Sequence, residues 1–228
     1  MTLKPILAAV VLMFAVSAAS ATSMANVGPT TVTYDETTTL GSITGSFSSS
    51  NDHYGFNWTI PDSANIISSG STKIRVVDLP SFTLSANAGY QLSGISAFLG
   101  NLAFTELGGA TTNIEVNADV SVNGGPATHV NGLLDFVITN QGSNPSYVIG
   151  YFSQTANLPG GPFSSFTVSN GSLTLSAANG TFSSIVANPQ NKLEFSFTAA
   201  PVPEPETAAM LLAGLVAMGW MTQRRRNA

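Results

Sequence analysis

The sequence predicts an all-β protein whose body is an antiparallel β-sandwich or jelly roll. Segments in which apolar and polar residues alternate recur along the chain, and Gly, Asn and Pro separate them at intervals of about ten residues. No helical periodicity lasts beyond two turns between residues 27 and 198. Many short strands at this spacing are typical of sandwiches and jelly rolls, and the absence of a fixed repeat disfavours a β-solenoid.

The clearest strand covers residues 113–122, where apolar and polar residues alternate without a break. A strand with this pattern buries one face and exposes the other. The next residues, Asn123-Gly124-Gly125-Pro126, tolerate the positive φ angles of a tight turn, and a second apolar run follows within residues 127–139. We therefore predict a β-hairpin here.

A second hairpin is predicted around Asn170-Gly171, which separates the alternating runs 165–169 and 172–176. Asn-Gly between two such runs is a strong hairpin signal, because a type I′ turn needs positive φ at both central positions. The hairpin would place four apolar side chains on one face: Phe166, Val168, Leu173 and Leu175.

Further strands are expected wherever β-branched and aromatic residues cluster between turn residues. They are residues 30–33, 38–46, 54–60, 73–78, 81–85, 91–99, 147–152, 181–186 and 193–198.

The composition limits the classes of function. Charged residues make up 8% of the chain, against roughly 25% in a typical soluble domain. Residues 26–199 contain three basic and ten acidic side chains, a net charge of −7. Such a body has no cationic surface to displace counterions, so we predict no nucleic-acid partner. The chain has no cysteine, which excludes disulfides and thiolate ligands, and we predict no cofactor.

The first 25 residues have the three-part layout of a secretory signal peptide. Lys4 supplies a positive start, residues 6–19 form an apolar run, and small residues follow. Cleavage is expected after Ala21 or Ala25. We therefore divide the chain into a leader (1–25), a β-sandwich body (26–199) and a C-terminal tail (200–228).

The tail combines a proline-rich stalk, a short apolar segment and an arginine cluster. Residues 201–205, which include Pro203, Glu204 and Pro205, are predicted to form an extended, exposed stalk, because three prolines in five residues deny the chain both a helix and a strand ladder. The apolar residues 207–221 are predicted to form a short transmembrane helix, which is followed by Arg224, Arg225 and Arg226. The positive-inside rule places these arginines in the cytoplasm, with the body on the other side of the membrane.

This order of Pro-Glu-Pro stalk, apolar helix and terminal arginines resembles the PEP-CTERM sorting signal of Gram-negative bacteria. The resemblance covers residues 201–226 and implies recognition by an exosortase that cuts at or near Pro203, Glu204 and Pro205. It also implies passage through the Sec translocon, transient anchoring in the inner membrane, and delivery to the cell envelope, outer surface or extracellular matrix. A plain single-pass anchor would explain the apolar run and the arginines but not the stalk.

No pattern in the body points to catalysis. His53 and His129 are far apart in sequence and no carboxylates accompany them at metal-ligand spacing. Asp35-Glu36 and Asp119 are isolated, whereas a calcium loop alternates its oxygen ligands over a short segment. No serine elbow or phosphate-binding loop occurs. We predict no catalytic, cofactor-binding or metal residue and no enzymatic activity; paired carboxylates from distant strands are the alternative that sequence leaves open.

Four aromatic residues are candidates for stacking on sugar rings: Trp58, Tyr90, Tyr147 and Tyr151. Aromatic residues at alternating strand positions more often belong to the core, which is the competing interpretation. We expect a structural or adhesive protein of the cell surface, biofilm or floc matrix, with exopolysaccharide as a candidate partner. The alternative is a surface carbohydrate-binding module.

Overall fold

A computed structural model describes residues 22–49, 52–139, 147–158, 160–188, 190–202 and 209–218. Within these ranges the chain forms fourteen strands, one 3₁₀ turn at Asp62–Ala64 and a helix at residues 209–218. The strands are β1 (Thr22–Val27), β2 (Thr30–Asp35), β3 (Gly45–Ser49), β4 (His53–Thr59), β5 (Ile66–Ser68), β6 (Lys73–Asp78), β7 (Phe82–Ala86), β8 (Tyr90–Leu107), β9 (Thr111–Val122), β10 (Thr128–Thr139), β11 (Tyr147–Asn157), β12 (Ser165–Ala178), β13 (Phe182–Val186) and β14 (Lys192–Pro201).

The strands make two antiparallel sheets of seven strands each. Sheet A has the order β1-β2-β7-β12-β9-β10, and β6 also pairs with β12. Sheet B has the order β3-β4-β14-β8-β13-β5, and β11 pairs with the other edge of β8. The predicted antiparallel sandwich is confirmed.

The core lies between the two sheets. It contains the apolar side chains that point inward from every second position of the strands. Its centre is an aromatic cluster in which Phe82 and Phe195 meet edge-to-face with centroids 4.7 Å apart. Phe56 and Trp58 pack beside them and are fully buried. Such side chains each bury a large apolar area, worth about 1.5–3 kcal/mol. With no disulfide available, this packing and the strand ladders hold the sandwich together.

The first predicted hairpin is confirmed as β9 and β10. Asn123 and Gly124 have φ angles of 52° and 67°, and Gly125 N donates to Val122 O at 2.9 Å. Asn123 and Gly124 are thus the central residues of a β-turn with the positive φ angles that the sequence predicts, and residues 123–127 connect the two strands.

The second predicted hairpin is wrong, because residues 165–178 form the single strand β12. β12 pairs with β9 along its whole length, and the register shifts between Ser169 and Ser172. Asn170, with φ 51°, and Gly171 form a β-bulge there instead of a turn. In a two-residue hairpin and in a one-residue bulge alike, the core-facing side chains have even residue numbers before Asn170-Gly171 and odd residue numbers after it. The same four residues are therefore buried in either structure.

The remaining strand predictions differ in their limits. Residues 38–44 form turns and bends rather than a strand, and β3 begins only at Gly45. β8 and β11 continue well beyond the predicted 91–99 and 147–152. Both strands extend further because neighbouring strands pair with residues whose own alternation of apolar and polar side chains is weak.

Candidate functional surfaces

The four candidate aromatic residues have very different exposures. Trp58 is fully buried, and its indole N–H donates to Gly41 O at 3.2 Å, so it is a core residue and unavailable for stacking. Tyr90 is 38% exposed, whereas Tyr147 and Tyr151 are 62% and 69% exposed. Tyr147 and Tyr151 lie on the outer side of β11, four residues and about 14 Å apart.

The exposed tyrosines belong to a mostly apolar surface on the outer side of sheet B, in which Thr105 and the buried Ser184 separate Ile149 from Ile67. Three rows of aligned residues cross the strands in the order β11, β8, β13. The rows are Tyr147–Leu107–Phe182, Ile149–Thr105–Ser184 and Tyr151–Ala103–Val186, and Ile67 of β5 continues the middle row. Ile149 and Ile67 are 54% and 50% exposed. We call this surface the β11 patch.

Sequence analysis identified the two tyrosines of the β11 patch but missed Ile149, Leu107, Phe182 and Ile67. One signal was present: Tyr147 to Phe152 is apolar on both faces, apart from Gly150, although only one face of an outer strand can be buried by the core. The rest depended on strand pairing, which brings residues 67, 107, 149 and 182 side by side.

The outer face of sheet A is polar instead. Hydroxyl side chains align across four strands as Thr33–Thr83–Thr167–Ser121. Thr83 and Thr167 hydroxyls are 2.9 Å apart and share a hydrogen bond. A shallow depression of about 250 Å³ lies beside them, with Asp35 at its rim. Asp35 Oδ1 accepts hydrogen bonds from the backbone N–H and the hydroxyl of Thr37, at 2.8 and 2.7 Å.

A small charged cluster on the same face surrounds Asp119. His129 Nδ1 lies 2.5 Å from Asp119 Oδ1, and Asn170 Nδ2 donates to Asp119 Oδ2 at 2.7 Å. The Asn170 bond, followed by that of His129, lowers the pKa of Asp119. The bond to Asp119 raises the pKa of His129. The β12 bulge brings Asn170 to this carboxylate.

The other histidine, His53, lies on β4. Its ring lies beside that of Phe47, with 6.3 Å between the two ring centroids. The structure therefore does not bring the two histidines into one site. Across the described ranges no group of three or more His, Cys, Asp or Glu side chains is placed to hold a metal ion.

The C-terminal stalk begins on the last hydrogen bonds of the sandwich. The predicted start of the stalk at Pro201 is wrong, because Pro201 is the final residue of β14 and pairs with Tyr90. Val202 N also donates to Gly89 O at 2.8 Å, and proline is tolerated at the end of a strand, where its missing N–H breaks no ladder bond. The stalk residues Pro203, Glu204 and Pro205 lie outside the described residues, as do Arg224, Arg225 and Arg226. The segment predicted to be recognised thus follows the folded body without an intervening linker.

Comparison with known families decides what this segment is. The model of the PEP-CTERM protein-sorting motif matches residues 201–226. This chain carries a PEP-CTERM sorting motif. The match has the limits predicted from the stalk, the apolar run and the arginines, and its first two residues, Pro201 and Val202, still belong to the edge of the sandwich.

No curated protein matches the chain. Among solved structures, TmCBM61 in complex with β-1,4-galactotriose is similar to 62% of this chain and 90% of its own, at 12% sequence identity. The TM-score is 0.20, too low for the position of any strand or ligand to be transferred.

Within the PEP-CTERM motif the structure describes a helix at residues 209–218. Every residue in it is exposed, including Met210 at 75%, Val216 at 71% and Leu211 at 67%. In the described parts of the chain, no helix has both the length and the apolar character needed to cross a membrane. The predicted span, 207–221, extends past the described helix at both ends.

At the other terminus, Ala21 and the predicted leader before it lie outside the described residues. Ala25, the second candidate cleavage residue, lies in β1, where it pairs with Val32 and packs against the core. A hydrogen bond from Ser23 is the main cause of the lowered pKa of Glu36. The four residues between the two candidate bonds, 22–25, are thus part of sheet A.

Proposed function

We propose that this protein is exported, sorted by an exosortase, and retained at the cell surface or in the extracellular matrix as a non-enzymatic structural or adhesive component. The observation that carries the proposal is the position of the PEP-CTERM motif, residues 201–226, which begins at Pro201, the last residue of β14. Cutting at or near Pro203, Glu204 and Pro205 would release the tail and leave every described strand of the sandwich intact.

The proposed route uses both termini. The leader would direct the chain to the Sec translocon, and the apolar segment at 207–221 would hold it briefly in the inner membrane. Arg224, Arg225 and Arg226 would stay in the cytoplasm and stop further transfer. The low-charge body, covered by Ser, Thr and Asn hydroxyl and amide groups on sheet A, suits a hydrated matrix better than a charged cytosol.

The intact mass of the protein tests this proposal. Protein recovered from the culture medium and the envelope of the producing cell should lack both the leader and the residues after about position 205. The same protein from a strain without the exosortase should keep its tail. Glu204→Ala should reduce tail removal, and Glu206→Ala, just beyond the Pro-Glu-Pro sequence, is the matched control. A tail that remains intact in the wild-type strain would make the protein a plain anchored one and remove the support for a matrix role.

A second candidate function is carbohydrate binding at the cell surface. The exposure of Tyr147 and Tyr151 on one side of β11 favours it, because exposed aromatic rings stack on sugar faces. Calorimetric titration with soluble exopolysaccharide fragments would test it in the wild type and in Tyr147→Ala and Tyr151→Ala. Binding that both substitutions abolish supports this candidate, and silence across a broad glycan panel excludes it.

A further inference from the structure

The outer edge of β11 differs from every other described sheet edge. Six strands have only one ladder partner among the described strands: β1, β3, β5, β6, β10 and β11. An edge strand presents unpaired N–H and C=O groups, and proteins usually block its pairing with charges, bulges, proline or short length.

Three of the six edges offer at most about half the length of β11, since β1, β3 and β5 have six, five and three residues against eleven. β6 carries Lys73, Arg75 and Asp78 within six residues. In β10 the register shifts between Val130 and Leu134, and the strand also carries Asp135. Each of these five edges thus has a recognisable block.

β11 has none of these protections. It is eleven residues long, about 37 Å, and contains no charged residue and no proline. Its ladder with β8 shifts between Phe152 and Ser153, but the extra residue belongs to β8, where Asn101 has φ 65°. β11 therefore remains a continuous strand. The segment Tyr147 to Phe152 also has the high β-propensity and lack of charge of strands that readily pair with a copy of themselves.

The side chains beside this edge are apolar and exposed. Tyr147, Ile149 and Tyr151 point outward along β11 and form the border of the β11 patch. Isolated exposed apolar residues are ordinary, but three of them in a row along a strand edge that no described strand pairs mark a candidate interaction site.

We propose that two copies of this protein pair through β11, edge to edge and antiparallel, so that sheet B of one copy continues into sheet B of the other. A second copy is the favoured occupant for two reasons. The unpaired backbone groups need another strand, which a glycan does not supply, and an uncharged strand can face its own copy without like-charge contacts. The pairing would bring the Tyr147, Ile149 and Tyr151 side chains of the two copies side by side on one sheet face and join the two proteins directly. It deepens the proposed structural role and rests on that role for its biological setting.

The net charge of the body should make the pairing of two copies depend on salt concentration. Each body carries −7, so two copies repel at a distance although no charge lies on β11 itself. Salt screens that repulsion and leaves apolar burial in place. Pairing should therefore strengthen as salt concentration rises.

The decisive experiment measures the mass of the full-length protein, purified in detergent, by analytical ultracentrifugation over a range of concentrations. Ile149→Lys places a charge on β11 within the proposed contact, so a paired dimer would hold two such charges. We expect it to raise the dimer dissociation constant by roughly tenfold or more. Val76→Lys is the matched control, because Val76 is 59% exposed on another edge strand, against 54% for Ile149. Any association through the helix at residues 209–218 would occur equally in the wild type, in Ile149→Lys and in Val76→Lys, so it would not account for a difference between them.

Cysteine cross-linking locates the contact independently, because the natural chain has no cysteine. Ile149→Cys, Tyr151→Cys and Ser153→Cys place single thiols along the outer side of β11, and Val76→Cys is the control. Antiparallel pairing brings the position nearest the twofold axis opposite itself, at a separation that suits a disulfide. We expect covalent dimers from one β11 position and none from position 76.

Three outcomes would overturn the proposal. The first is a protein that stays monomeric at all concentrations, and the second is equal cross-linking at position 76. The third is a monomer that binds glycan through Tyr147 and Tyr151, which would assign the β11 patch to carbohydrate. Export is judged from the processing of the termini and pairing from the mass of the purified protein, so either proposal can fail without the other.

Discussion

Asn170 donates a hydrogen bond of 2.7 Å to Asp119, and this bond ties the bulge of β12 to the neighbouring strand β9. Asn170 also adopts φ 51°, which asparagine tolerates better than alanine. The bulge lets apolar residues before and after it, from Phe166 to Leu175, face the same core. One polar residue thus preserves the packing of a fourteen-residue strand.

Substitution of Asn170 should show this role. Asn170→Ala loses the hydrogen bond and places a Cβ-bearing residue in the left-handed region, so we expect a loss of roughly 1–2 kcal/mol in the free energy of unfolding. Asn170→Gly keeps the backbone conformation and should lose less. Urea denaturation followed by circular dichroism measures both. Equal losses in the two variants would show that the backbone conformation contributes nothing.

The His129–Asp119 pair should make stability depend on pH. The pKa of His129 is raised in the folded protein, so its contribution is complete below the unfolded value of about 6.5 and is lost as pH rises through the higher folded value. The lowered pKa of Asp119 acts at the acidic end, where its contribution is lost as pH falls through the folded value.

Thermal unfolding should reveal this effect when the wild type is compared with His129→Gln between pH 5 and 9. The advantage of the wild type should shrink as pH rises above about 6.5. Both side chains are solvent-accessible, so the effect should be small and should weaken with added salt. A difference that does not change with pH would mean that the ion pair makes no contribution.

The aromatic cluster should dominate the stability of the sandwich. Phe195 is 5% exposed and contacts Phe56, Trp58 and Phe82. Phe195→Ala should therefore lower the free energy of unfolding by about 3–5 kcal/mol, through lost burial and the cavity left behind. Tyr151→Ala removes a ring that is 69% exposed and should cost far less. Urea titration of both variants tests the contrast, and similar losses would contradict the assigned core.

The mature N-terminus should be Thr22 rather than Asn26. Removal of residues 22–25 would eliminate four ladder positions, from the Thr22–Asp35 pair to the Ala25–Val32 pair, and the bond from Ser23 to Glu36. At about 1 kcal/mol for each hydrogen bond, a chain beginning at Asn26 should lose roughly 2 kcal/mol or more of stability. N-terminal sequencing of secreted protein identifies the bond, and a start at Asn26 would show that β1 is dispensable.

The sequence alone determined the properties that depend on local pattern. Alternation over 113–122 predicted a half-buried strand, because the side-chain period of a strand is two whatever its partner. Asn123-Gly124 predicted its turn correctly, since positive φ is a local preference. The sorting motif was also readable, because proline spacing, apolar length and arginine position are linear features that require no tertiary structure.

Tertiary structure decided which strands became neighbours and which faces remained exposed. Asn170-Gly171 became a bulge because β9 supplies a continuous ladder on both sides of it, and local sequence permits bulge and turn alike. Trp58 and Tyr151 both lie in alternating strands, yet one faces the aromatic core and the other faces outward. The exposed edge of β11 exists only because β8 pairs with it on one side and no described strand pairs on the other. Period-two alternation assigns residues to faces, but only the assembled sheets determine what covers each face and each edge.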